Sequence, residues 1–561
     1  MADQADQVSP LEQPAQPTEQ PPEAVVPAAP PPIIPIVPKS SLTFRQRWSA
    51  FLRWFKAPEN IAVCAMAAVV LALHIILINT PPGLLSTPEW MRQDALNKRD
   101  ITNPAPSPQY IFDELHYVPE AVRFLHREAP DAEHGIVRPE HPPLGKWLIA
   151  SGIFFFGDNP VGWRLPSIIF GLASIFIFYF ICRKLAGQEP DQGADSHNPP
   201  AGGFWGWLRV STFVPLLATF LFAFENMSFI QAQVAMLDPF YLTFMLLGIL
   251  FYLRKNWAIA GACLGLSMLS KSMAVLPILG LFAHWAVTRR HEIANELKFT
   301  WNALRGRKEG RPEQSEILGI VKFLVVIPIV WFALLLLLEY PVTRSWVNPM
   351  SRTLYMLTSH LGLKVGGTLA SGIATRPWSW LYYPGGLNYW YTPHFLGAIG
   401  WTVWALIMPS MAYLIFELAR ERFRGVVRRL RLLLVELARG RFLGVVRGLW
   451  LLALELPRGT GGHAVAAFGL IWFIGVYGLL VPLELATDRL MYIFYFYPAV
   501  PAVSLAIAWG AWKLWGLARR GKKRRIAFMV GLSVYILATV ASFVIMSPWG
   551  TNLITLPSRS G

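Results

Sequence analysis

The sequence predicts an all-α polytopic membrane protein, and three observations carry the prediction. Of the 561 residues, 54% are hydrophobic and 15% charged, with a mean hydropathy of +0.40. Soluble domains carry roughly 25% charged residues. Apolar runs of membrane-crossing length recur along most of the chain. A span needs about 20 residues, because a helix rises about 1.5 Å per residue across about 30 Å of hydrocarbon. The third observation is the basic balance: 50 Lys and Arg stand against 34 Asp and Glu, a net charge of +16. In a membrane protein that excess marks cytoplasmic loops and not nucleic-acid binding. The composition excludes a soluble globular protein and a mainly disordered one. Cys64, Cys182 and Cys263 all sit in apolar runs, so neither a disulfide framework nor a thiolate metal site is expected.

Residues 1–40 read as a disordered, Pro-rich cytoplasmic tail. Positions 1–38 hold eleven prolines, five acids and no Lys or Arg, with no helical or strand period. The stretch lacks the basic start and cleavage site of a signal peptide. Phe44-Arg45-Gln46-Arg47-Trp48, Arg53 and Lys56 follow, the mixture of a cytoplasmic interface. A single transmembrane domain is expected over 41–546, with 547–561 a short outer tail. Its spans fall near 60–79, 161–182, 208–224, 239–253, 257–270, 273–288, 319–338, 395–415, 464–481, 490–511 and 526–546, eleven in all. Leu144–Phe156 is apolar but short and follows Pro142-Pro143, so it is read as interfacial or re-entrant.

Parity supports that reading. If 144–156 does not cross, then Arg183-Lys184, Arg254-Lys255, Arg289-Arg290, the Arg-rich 420–458 and Lys513 to Arg525 all face inward. If it crosses, all of them face outward, against the positive-inside rule. The expected topology has the N-terminus inside, the C-terminus outside, and outer loops at 80–160 and 339–394. One internal repeat stands out. Glu417-Leu418-Ala419-Arg420 recurs as Glu436-Leu437-Ala438-Arg439 and in part as Glu455-Leu456-Pro457-Arg458, a period of 19 residues. Apolar and Arg positions at helical spacing make 416–459 an amphipathic segment on the anionic inner leaflet. Docking of a cytoplasmic partner is the alternative.

Charge at membrane depth is costly, so an ionisable residue there is a functional candidate. The outer ends of the spans collect Asp113-Glu114, His141, Arg164, Asp238, Lys271 and Arg489. Each has a structural reading too. Asp113-Glu114 could be a solvated turn and His141 a packing residue. Arg164 and Arg489 could snorkel to headgroups, and Asp238 before Pro239 could cap a helix. Lys271 resists such a reading, because it lies between apolar spans on the side where positive charge is rare. Together the set suits transfer from a lipid-linked phosphate. Cations hold the phosphate and the charge that develops as its bond breaks. A carboxylate takes the proton of the attacking hydroxyl.

Phe112-Asp113-Glu114-Leu115-His116-Tyr117, His141-Pro142-Pro143-Leu144-Gly145-Lys146 and Gly162-Trp163-Arg164-Leu165 occur in order, followed by Leu237-Asp238 and Leu269-Ser270-Lys271. Arg376-Pro377-Trp378-Ser379-Trp380 and Arg489 with Tyr492-Ile493-Phe494-Tyr495-Phe496-Tyr497-Pro498 complete the series. The set resembles the protein O-mannosyltransferases, polyprenyl-phosphate-mannose-dependent enzymes of the GT-C superfamily, over about 60–545. The resemblance implies a GT-C-like fold and inverting transfer of mannose to Ser or Thr hydroxyls of exported proteins at the outer face of the plasma membrane. It implies Asp113 as general base, with Glu114 positioning the acceptor or pairing with Arg164. His141, Lys271 and Arg489 would line the lipid-phosphate site, and Trp378 and Trp380 would shape the cleft. His116, Lys146, Arg164 and Asp238 join them as candidate substrate-binding residues. No cofactor and no metal are implied. The expected partners are the polyprenyl-phosphate sugar, secreted or membrane protein acceptors, membrane lipids and the export machinery, with no nucleic acid.

The chain departs from the family at three points. Loop 339–394 is too short for the lumenal β-trefoil domain of eukaryotic members, so a prokaryotic type is expected. The 417–458 repeat is not a family element. Leu381 follows Trp380 where Pro is common. The related aminoarabinose transferases share the Asp-Glu loop, a Pro-Pro-Leu element and the Lys turn, so a lipid or cell-wall glycan acceptor stays open. A transporter of lipid-linked sugars would favour inverted repeats and charges at the bilayer midplane; no such repeat occurs in the sequence. A non-enzymatic scaffold would tolerate substitution of Asp113, Lys271 and Arg489.

Overall fold

The computed structural model describes residues 55–80, 110–127, 140–189, 209–305, 315–362, 375–391, 394–420 and 463–548, with Ser49, 431–433 and Val435 besides. The Pro-rich tail, most of the 416–459 repeat, much of the 80–160 loop and the end of the chain after 548 lie outside the described residues. From Lys56 onward the described residues belong to one unit.

The sequence alternates long apolar stretches with Pro, Gly and charge, and helices follow it. α1 (Pro58–Leu77) opens on Pro58, whose fixed φ suits a first turn. α2 (Glu114–His126) and α3 (Leu144–Phe156) come from the first large loop and pack on each other. α4 (Pro160–Ala186) is capped by Asn159, whose side chain accepts from the N–H groups of Val161 and Gly162. α5 (Val210–Ala223) and α6 (Asn226–Gln233) form a pair bent by 56°. Buried Glu225 holds the bend: it accepts from Ser228 N–H at 2.7 Å and Gly400 N–H at 2.7 Å.

α7 (Asp238–Leu253) and α8 (Trp257–Ser270) are apolar helices of 16 and 14 residues joined through a short turn. α9 (Val275–Thr288) follows the Lys271 turn. Then α10 (Arg290–Leu304) turns away, the two helical stretches bent by 71°. α10 exposes Leu297 and Trp301 and buries Glu296, the pattern of a helix lying in the interface. Glu296 accepts from the Ser315 hydroxyl and from Glu316 and Ile317 N–H, so it caps α11 (Glu316–Thr343). α12 (Pro349–Gly362) follows on the far side.

α8 and α11 pack closely because of two glycines four residues apart. A Cβ on Gly261 would lie 2.6 Å from the Phe323 carbonyl oxygen, and one on Gly265 would lie 2.9 Å from Val330 Cβ. Small residues at this spacing let two helix backbones approach inside a membrane.

The last third holds the departures from an all-helical reading. Residues 395–398 belong to an antiparallel hairpin and not to a span: β1 (Gly386–Tyr391) pairs with β2 (His394–Ala398), with an irregularity between Asn388 and Trp390. α13 (Trp401–Ala419) starts only after Gly400. Aromatic residues in Leu387–Tyr391 favour strand, and Pro393 stands between the two strands. α14 (Ala464–Phe473) passes through a π-helical turn at Ile474–Gly478 into α15 (Leu480–Thr487). Residues 493–499 form a 3-10 stretch before α16 (Val500–Ala518), which has Pro in its first turn. α17 (Lys522–Met546) closes the set.

Among the described residues seven helices are long and apolar enough to cross a membrane, or nine when each bent pair counts as one span. The sequence reading of eleven adds 239–253 and 257–270, whose helices α7 and α8 are shorter than a full span. The chain is thus a multi-pass membrane protein whose described residues are mainly helical, with one hairpin among them. The Ile493–Ala518 stretch is 89% buried and Lys522–Met546 only 17%, which makes α16 central and α17 a lipid-facing flank.

Candidate active site

Glu114 and Arg164 meet in a fully enclosed pair. Arg164 donates from Nε to Glu114 Oε1 at 2.8 Å and from Nη2 to Oε2 at 2.8 Å. Its Nη1 donates to the carbonyls of Ile78 and Thr80 at 2.8 and 2.7 Å. Glu114 also accepts from the N–H groups of Ile111 and Ala235 at 2.8 and 2.9 Å. Both side chains are 0% exposed. Every nitrogen of the guanidinium donates and both Glu114 oxygens accept twice, so Glu114 ties the first loop to α1, α4 and the 235 segment. Of its two expected roles, the pairing with Arg164 is the one found.

Asp113 is the N-cap residue of α2, partly buried, and makes no side-chain cap bond. His116 N–H donates to its carbonyl at 2.9 Å; the His116 side chain is partly buried one turn on. Phe112, just before Asp113, stacks on Tyr389 of β1 with centroids 4.5 Å apart and planes 4° apart. It also meets Phe494 edge-on at 5.9 Å. Burial pushes the Tyr389 phenol well above its ordinary range, and the negative charges of Asp238 and Asp113 push the same way. The Tyr389 hydroxyl accepts from Gln231 Nε2 at 2.7 Å.

Asp238 is not the cap that its place before Pro239 suggested. Leu237 occupies the cap position, and Asp238 begins α7. Its carboxylate takes Lys271 Nζ at 2.8 Å on both oxygens, in a pair that is almost fully buried. Asp238 uses at most two of the three ammonium donors. Lys271 Nζ also lies 4.9 Å from the Phe494 centroid and 5.1 Å from that of Tyr495. Arg489 is buried against the same ring: its guanidinium lies 5.7 Å from the Tyr495 centroid, Nη2 is 3.4 Å from the Tyr495 hydroxyl, and Nη1 donates to Met273 Sδ at 3.2 Å. A cavity is lined by Asp238, Tyr241, Lys271, Met273 and Tyr495, and Arg489 reaches two of these, Met273 and Tyr495. Phe112, next to Asp113, therefore meets Phe494, the ring under Lys271, and Lys271 with Asp238 lines the cavity.

His141 and Lys146 lie in a second cavity with Glu339, Thr343 and Arg352. Lys146 Nζ pairs with Glu120 at 2.9 Å and Arg352 Nε with Glu339 at 2.7 Å, all four side chains buried. His141 packs edge-on against Tyr117 at 5.6 Å. Gly145, just before Lys146, packs against Leu237 and the Ser270 carbonyl, the residues before Asp238 and Lys271. Trp378 is half-buried with the Arg376 guanidinium 5.7 Å from its ring. Arg376 in turn pairs with Glu484 and, at 2.9 Å, with Asp488. Trp380 is 1% exposed, donates from Nε1 to Thr375 at 2.7 Å and accepts from Trp404 Nε1 at 2.9 Å. It holds this loop from inside.

Phe112, Phe494 and Tyr495 stand in the motifs that carry the resemblance, without a role of their own there, and Tyr389 is not among them. A run of aromatics before a turn at 387–394 was the available signal for Tyr389. Among the described residues no group of three or more His, Cys, Asp or Glu side chains could hold a metal ion.

Residues 140–191 match a family model described as dolichyl-phosphate-mannose-protein mannosyltransferase; the segment includes His141, Lys146 and Arg164. A polyprenol-phosphate-mannose–protein mannosyltransferase of Mycolicibacterium smegmatis is 29% identical over 145 residues, 26% of this chain and 24% of that protein. The Mycobacterium tuberculosis protein of the same name is 32% identical over 134 residues, 24% of this chain and 21% of that protein. The matched stretch thus spans about a quarter of the relatives' length. The fold is that of the S. cerevisiae protein O-mannosyltransferase Pmt1-Pmt2 complex bound to the sugar donor, with a TM-score of 0.53 at 11% identity, covering 89% of this chain and 91% of that one. Sequence over one segment and fold over most of the chain carry the same resemblance, to the protein O-mannosyltransferase family.

Proposed function

We propose that the protein transfers mannose from a polyprenyl-phosphate-mannose donor to Ser or Thr hydroxyls of proteins at the outer face of a cell membrane. The observation that carries the reading is the ring contact from Phe112, next to Asp113, through Phe494 to Lys271, which pairs with Asp238 and shares the Tyr495 ring with Arg489. Lys271 and Arg489 are suited to bind the donor phosphate in a site of low dielectric. Asp238 holds the Lys271 ammonium in place through both carboxylate oxygens. The acceptor oxygen forms a bond to mannosyl C1 as the bond from C1 to the phosphate oxygen breaks. The electron pair leaves with polyprenyl phosphate, and the cations stabilise it there. Asp113 takes the hydroxyl proton, while Glu114, engaged by Arg164, serves as the anchor. Attack opposite to the leaving phosphate inverts C1.

The relatives that match one segment of this chain bear the name of this activity, which supports donor and acceptor class alike. The test is transfer of labelled mannose from the polyprenyl-phosphate donor by purified protein to a pool of host acceptors. Wild type should label the protein fraction, and Asp113→Asn should lose about 10²-fold or more in turnover with donor affinity kept. Label in lipid or glycan would move the acceptor; an Asp113→Asn protein with full turnover would remove Asp113 as the base.

A further inference from the structure

Phe112 holds a backbone angle that a bulky residue rarely adopts. Its φ is +49°, in the left-handed region where an L side chain is crowded by its own backbone. Such a conformation persists only where the surroundings fix it from several directions. They do so here. Ile111 N–H donates to Glu114 Oε2 at 2.8 Å, Glu114 N–H to the Ile111 carbonyl at 3.1 Å, and Leu115 N–H to the Phe112 carbonyl at 3.2 Å. The ring is held twice, flat on Tyr389 at 4.5 Å and edge-on to Phe494 at 5.9 Å. Phe494 is also the ring beneath the Lys271 ammonium. Tyr389 of the hairpin thus meets Phe112 face to face and Phe494 edge-on at 6.5 Å. The next residue in the chain is Asp113.

We propose that Phe112 is a positioning residue: its ring, clamped between Tyr389 and Phe494, fixes the approach of the Asp113 carboxylate to a sugar whose phosphate is held at Lys271 and Arg489. The inference rests on the transferase reading above. Leu at this position would fill much of the space but has neither a flat face for Tyr389 nor an aromatic edge for Phe494. Tyr keeps both. The loop itself stays anchored in either variant, because Glu114 and Arg164 are untouched.

The experiment is steady-state kinetics with polyprenyl-phosphate-mannose and a Ser/Thr-containing acceptor peptide. Wild type, Phe112→Leu, Phe112→Tyr and Asp113→Asn are compared, with binding of polyprenyl phosphate alone measured in parallel. Phe112→Leu should lose about tenfold or more in kcat, with donor KM and polyprenyl-phosphate affinity within about twofold of wild type. Phe112→Tyr should recover turnover to within about threefold. The acid limb of the kcat profile, which a base sets, should move in Phe112→Leu and stay in Phe112→Tyr. A ring that only supports the fold would lower the yield of folded protein and leave kcat per folded molecule unchanged; that outcome overturns the proposal. So does a fully active Phe112→Leu beside an inactive Asp113→Asn, which would spare the transferase reading. Wild-type protein that transfers nothing overturns both.

Discussion

At the residue scale, four of the charges that the sequence leaves at membrane depth resolve into two pairs. Glu114 binds Arg164 and Asp238 binds Lys271, across 50 and 33 residues of chain. That such residues need partners follows from the cost of a lone charge in low dielectric. Which partner each takes depends on how helices stack, so only Glu114 with Arg164 was named beforehand. Removing one member of a buried pair costs about 3–5 kcal/mol, because the other charge stays behind. Arg164→Ala should therefore lower the unfolding temperature in detergent sharply, and Arg164→Lys should rescue only part of it, having no planar fork for two carboxylate oxygens. Lys271→Ala should weaken polyprenyl-phosphate binding by about tenfold or more, which titration of the lipid phosphate would measure.

His394 supplies a pH test. Burial on the hairpin holds its imidazole below the ordinary range, and Nε2 lies 2.5 Å from Asn388 Oδ1. The folded state then binds the proton less readily than the unfolded chain, so stability is complete at high pH. It is lost as pH falls below about 6.5, where the unfolded imidazole takes up its proton. His394→Gln should flatten that part of a stability-against-pH curve and leave the alkaline part alone.

At the scale of elements, helix existence was legible and helix boundaries less so. Span 60–79 and α1 coincide closely, because a run of apolar residues behind Pro58 admits little else. The segment 395–415 misled, because Phe395-Leu396-Gly397-Ala398 is apolar in either conformation. Periodicity cannot separate a short buried strand from a helical turn. The pairing of β2 with β1 and the Gly400 N–H bond to Glu225 decided it. The approach of α8 to α11 is written more plainly, in Gly261 and Gly265. Gly261→Val would push a side chain into the Phe323 carbonyl. It should cost about 1–3 kcal/mol, read as lower thermal stability, while Ala262→Val serves as the neighbouring control.

For the whole molecule, the sequence set the class and the general order of the spans, and the charge rule set an orientation. Thiol labelling in intact cells tests that orientation. In a chain without Cys64, Cys182 and Cys263, Tyr383→Cys should react with a membrane-impermeant maleimide from outside; Tyr383 is 62% exposed beside the hairpin. Lys523→Cys, exposed at the start of α17, should react only after permeabilisation. The reverse pattern would invert the topology. The candidate site was less legible than the class. Its charges could be picked from the sequence, but the rings that connect them come from segments as distant as Phe112, Tyr389 and Phe494.

The paired charges also bear on how the chain enters its membrane. Glu114 with Arg164, Glu120 with Lys146, Asp238 with Lys271 and Glu339 with Arg352 each sum to zero. Carrying one unpaired charge through a potential of 100 mV involves about 2.3 kcal/mol of electrical work. For a chain inserted with these residues outward, each cation travels with an acid, and the field does no net work on the four pairs. In that orientation the voltage across the membrane would act on the basic loops, and their retention, not export of the site, would fix the direction of insertion.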